Sequence, residues 1–139
     1  MGEIVETVDG RIVEIPEEFP QEELACGGVS EMNLDEEILK ELQWSAAREI
    51  NAKSKDLLYL VPVKIHRATL QVVEGALYVL EIEVGQTEYL KRMIDQDNVK
   101  TTSVHPKKHG KHSVYEVEIW VKEWENFEQV TILSSKEEL

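Results

Sequence analysis

Strict apolar–polar alternation in two segments ties this chain to a half-buried antiparallel sheet. Leu80, Ile82 and Val84 point one way, while Glu81 and Glu83 point the other. Later, Tyr115, Val117, Ile119 and Val121 alternate with Glu116, Glu118 and Trp120. Strand signals cover roughly 57–72, 76–90, 113–122 and 127–133, with a long polar connection over 91–112. Ahead of them, Leu39, Leu42, Ala46 and Ile50 recur at helical spacing and form one apolar stripe. Asn33 and Glu36 have capping-box spacing, and Asp35, Glu36 and Glu37 suit the positive end of a helix dipole, so a helix is predicted from Asn33 to about residue 52. One helix followed by strands in hairpin order predicts an α+β domain, with one long helix packed on an antiparallel β-sheet of four to five strands.

Composition narrows the partners. Net charge is −13, and residues 1–41 hold 13 acidic against 2 basic side chains. So acidic a chain repels nucleic acid and anionic membranes, which excludes both as natural partners. The sequence holds no apolar run near the roughly 18 residues of a membrane span. MGEIVETVDG lacks the basic-then-apolar order of a signal peptide. Residues 1–24 read as an acidic tail or linker, with a candidate hairpin at Asp9-Gly10. Cys26 is the only cysteine, so the fold must stand on its core without an intrachain disulfide; a reducing compartment such as the cytoplasm fits. As a nucleophile Cys26 has no flanking motif and sits on a Gly-Gly segment, a poor platform for catalysis, so no enzyme is expected. HPKKHGKH, residues 105–112, gathers His105, His109 and His112 but is broken by Pro106 and Gly110. It reads as a solvated basic loop rather than a metal site, and no cofactor is expected.

One stretch resists the sheet logic. In Gln71-Val72-Val73-Glu74-Gly75, two β-branched residues stand beside a turn, where Gly, Asn and Asp are favoured. This stretch resembles the Gln-Val-Val-Ala-Gly hairpin tip of the cystatins, inhibitors of papain-like cysteine proteases. Two more elements follow the same pattern: Gly27-Gly28 upstream, and Trp124 within Lys122-Glu123-Trp124, where cystatins usually carry Pro-Trp. Leu42, Ala46, Glu49 and Asn51 are similar to the family's helix signature. The resemblance spans about 25–135 and leaves 136–139 as a C-terminal tail. It implies a reversible wedge that fills the protease cleft, made of a trunk at Cys26, Gly27 and Gly28, a first tip at Gln71, Val72, Val73, Glu74 and Gly75, and a second tip at Glu123 and Trp124. The alternative it implies is a non-inhibitory propeptide or interaction domain. It also implies a secreted or endolysosomal location after leader removal, and a monomer able to form a domain-swapped dimer.

The sequence departs from the family at Glu74, where a small residue is usual, at Glu123 in place of Pro, and at Ala25 and Cys26 in place of bulkier aliphatics. The two disulfides of secreted cystatins are missing, with Tyr89, Val99, Tyr115 and Ser135 at the matching positions. Trp44 lies off the helical stripe and Trp120 on the polar side of its strand, so both read as surface or secondary packing residues.

Overall fold

A computed structural model of the protein describes residues 28–95 and 104–138. The expectations for residues 1–24, Ala25, Cys26, Gly27 and Val99 fall outside this range. One antiparallel sheet runs in sequential order: β1 (Val29–Glu31), β2 (Leu58–Val73), β3 (Gly75–Leu90), β4 (His112–Lys122) and β5 (Phe127–Glu138). Helix α1 (Glu37–Lys53) packs on one face, giving the α+β architecture expected from the alternation. The stripe Leu39, Leu42, Ala46 and Ile50 meets Leu80, Ile82, Val84, Val117 and Ile119 in one core. Burying each large aliphatic side chain there stabilises the fold by roughly 1.5–3 kcal/mol, which lets the core stand without crosslinks. Tyr115 faces Ser135 across the β4–β5 ladder, and its ring packs against the core cluster.

The helix begins later than the capping-box spacing predicts. Asn33 instead closes a separate turn: its Oδ1 accepts the Asp35 N–H at 3.2 Å and its carbonyl accepts the Glu36 N–H at 3.1 Å. Glu36 becomes the N-cap, with no side-chain cap bond. An Asx-type turn competes with capping for the same side-chain oxygen, and here the turn wins. Near the other end of α1, buried Asn51 fastens the helix to β2. Its Nδ2 donates to the Leu60 carbonyl at 2.9 Å, and its Oδ1 accepts the Leu60 N–H at 2.8 Å. β1 is too short to show any periodicity, and β5 continues through residues 136–138, beyond its expected end at 133.

His112 belongs to β4, not to a solvated loop. Its Nδ1 lies 2.6 Å from Glu83 Oε2, while His66 Nε2 lies 2.8 Å from Glu83 Oε1. A register shift between Ile65 and Arg67 brings His66 onto this face, and Gly85 leaves room for the His112 ring, since a Cβ there would lie 2.9 Å from Nε2. The preceding loop is tied down as well, with the Lys107 N–H donating to the Gln86 carbonyl at 2.7 Å. Hydrogen bonds from His112 and then His66 hold the Glu83 carboxyl below its ordinary value of 4.5. A carboxylate lowered in this way contributes stability that is fully present above pH 4.5 and is lost as pH falls through its folded value. Glu83→Gln is therefore expected to cost about 1 kcal/mol at pH 7, roughly 3–6 °C of melting temperature, with the deficit shrinking toward pH 3. Melting curves of both forms at pH 7, 5 and 3 check this; a deficit constant across the series would rule it out.

Candidate functional site

Strand register brings three segments to one end of the sheet. Val73 pairs with Gly75 and Val72 with Ala76, so β2 turns into β3 through Glu74 alone. The two valines thus end the ladder instead of forming the turn, yet they are not core: Val72 is 57% exposed and Val73 half-buried. Gln71, half-buried, stands between Val29 on β1 and Leu77 on β3. Glu74 projects as an exposed side chain. Gly75 has φ +95°, and a Cβ on it would lie 2.3 Å from the Val121 carbonyl oxygen, so no other residue fits without displacing β4.

The pairing of Ala76 with Val121 sets the turn between β4 and β5 beside this tip. That turn is one 3₁₀ turn over Glu123–Glu125, closed by Asn126 in the left-handed region (φ 53°), whose N–H donates to the Glu123 carbonyl at 3.0 Å. Trp124 sits on it with 64% exposure, outside both core clusters. On the other side of β2, Val29 pairs with Gln71, so exposed Gly28 opens β1 at the same end, with open space around its Cα. Gly28, the Glu74 tip and the Trp124 turn therefore form one rim. The rim projects and does not enclose. An open groove of about 490 Å³ runs elsewhere, between α1 and β5, lined by Glu49, Lys53, Tyr115 and Ile132.

The rim joins apolar tips to negative charge. Glu74, Glu123 and Glu125 are exposed around Val72 and Trp124. The Tyr78 hydroxyl, just inside, is pushed up by burial and further by the charges of Glu123 and Glu36. Among the described residues no group of His, Cys, Asp and Glu could hold a metal ion, and no helix is long and apolar enough to cross a membrane.

Sequence reasoning missed the residues that support the rim. Trp120, read as surface packing without a role, donates its indole N–H to the Glu74 carbonyl at 2.8 Å. Its ring meets Phe127 edge-on, with centroids 5.3 Å apart. Lys122, its side chain only 14% exposed, lies over both rings at 4.7 and 4.8 Å. Trp44 is half-buried and packs with Ile94 and Val104 around Tyr59 and Val61, the secondary packing role expected of it. The unusual placement of Trp120 among acidic strand residues was the available signal.

A single helix packs on a five-stranded sheet, with two tips and a leading glycine at one rim. The Cystatin domain family matches residues 27–132, and the chain belongs to the cystatin family. It is 38% identical over 105 residues to "Cystatin cpi-1" of Caenorhabditis elegans, covering 75% of this chain and 74% of that protein. To "Cystatin cpi-2" of Brugia malayi it is 33% identical over 117 residues, covering 82% and 70%. Among solved structures, Al-CPI superposes with a TM-score of 0.68 at 33% identity, covering 81% of this chain and all of that one. Dimeric human cystatin F superposes at 0.70, but at 19% identity this likeness concerns the fold alone.

Proposed function

We propose that the protein is a reversible, tight-binding inhibitor of papain-like cysteine proteases such as cathepsins, and that the rim is its binding edge. The observation that carries this reading is the convergence of Gly28, the Glu74 tip and the Trp124 turn at one end of the sheet. Val72 and Trp124 are exposed in the free protein and gain by losing water only on entering a concave apolar cleft. Cys26 and Gly27 precede Gly28 in the sequence and are assigned to the trunk in this reading. The wedge presents no carbonyl to the nucleophile, so inhibition needs no bond cleavage, no cofactor and no catalysis by this chain.

The test is titration of a papain-like protease with the purified domain. Stoichiometric, reversible loss of activity is the expected result. An unaffected protease at micromolar domain would instead favour a non-inhibitory propeptide or interaction domain.

Glu74 makes the tip more polar than the family pattern. Its side chain is exposed, and its backbone carbonyl is already engaged by Trp120. A carboxylate carried to the wall of a cleft without a donor loses hydration that nothing replaces. Glu74→Ala is accordingly expected to tighten binding by about 1–2 kcal/mol at neutral pH. Inhibition constants of the two forms against one protease decide it, and weaker binding by the alanine form would make Glu74 an engaged contact.

A further inference from the structure

We infer that Trp120 is a positioning residue that locks the first tip to the second, so that the two enter a protease as one rigid body. The inference rests on the inhibitory reading of the rim but is carried by contacts within the chain. A turn made of Glu74 alone, followed by a glycine at φ +95°, has a peptide group with little to fix its orientation. The indole N–H of Trp120 supplies that restraint by holding the Glu74 carbonyl at 2.8 Å, across 46 residues of sequence.

The same side chain is itself anchored to the second turn from both sides. Phe127, the first residue after that turn, meets the indole edge-on. Lys122, the last residue before it, lies over both rings and reaches Glu125 within the turn at 3.5 Å. A chain of contacts therefore runs from the Glu74 peptide through Trp120 to both ends of the Trp124 turn. Trp120 pairs with Leu77 in register and stands back from the tips, so its contribution is orientation. Fixing the tips before binding lowers the conformational entropy lost on complex formation.

Trp120→Phe keeps a ring against Phe127 and Lys122 and removes the indole donor that holds the Glu74 carbonyl. The Gly75 amide shares its peptide plane with the Glu74 carbonyl, so ¹⁵N relaxation at Gly75 reports the restraint directly. The order parameter there is expected to fall from about 0.85 toward 0.6. The inhibition constant against a papain-like protease is expected to weaken roughly three- to tenfold through faster dissociation. A Gly75 amide as rigid in the variant as in the native protein would overturn the inference, whatever happens to the melting temperature. So would a mobile Gly75 with an unchanged inhibition constant. If the native protein inhibits no papain-like protease, the functional reading fails, and the Gly75 measurement still decides whether the lock exists.

Discussion

Trp124→Ala is expected to weaken inhibition of a papain-like protease by about 2–4 kcal/mol while leaving thermal stability unchanged. The two halves of that expectation have separate physical origins. Trp124 is 64% exposed on its 3₁₀ turn and belongs to neither core cluster, so truncation opens no cavity in the folded domain. In a complex the same indole would be a large, rigid surface at the centre of a desolvated cleft, the kind of side chain that dominates interface energetics. Inhibition constants and melting curves of the two forms are the measurements. Unchanged inhibition would remove the second tip from the binding edge.

Gly75→Ala is expected to damage both stability and inhibition. The added Cβ meets the Val121 carbonyl oxygen at 2.3 Å and Lys122 Cγ at 2.8 Å, and alanine is strained at φ +95°. A flexible lysine can move aside, but a ladder carbonyl cannot move without parting β3 from β4 beside the tip. Strain and lost pairing together are expected to cost about 2–4 kcal/mol of folding stability and to displace the Glu74 tip from its place beside Trp124. Gly28→Ala is the matched control: nothing lies within 4 Å of its added Cβ, and stability should not change. Paired melting and inhibition measurements check both. Gly75→Ala with native stability and native inhibition would mean that the tip relaxes without cost.

What could be read in the sequence follows from how local each signal is. Leu80, Ile82, Val84 and the α1 stripe repeat at the period of their own element, so their burial needed no knowledge of partners. The exposed valine was legible because it sat against turn chemistry it does not suit. The start of α1 was misplaced because Asn33 gives to a turn the side-chain oxygen that a cap would have used. β1 was invisible because three residues carry no period, and only pairing with Thr69–Gln71 makes them a strand. Glu83 and His66 meet through a register shift, and Trp120 reaches Glu74 across the sheet. Such pairings are products of the assembled sheet, and alternation alone holds no trace of them.

The long outer margins of this sheet are spoiled as templates for another chain. β1 covers only Thr69–Gln71 of β2, and the remainder is interrupted by Pro62, by register shifts after Leu58, Pro62 and Ile65, and by the charges of Lys64 and Arg67. Asn51 already occupies the Leu60 N–H and carbonyl that would otherwise invite a new strand. At the opposite margin, β5 is broken by a register irregularity at Leu133 and carries Lys136 and Glu137 beyond it. Strand-by-strand growth into a fibre needs a flat, unbroken margin, and neither side provides one. The protein can thus expose a tryptophan and a valine at one end while its flanks resist polymerisation.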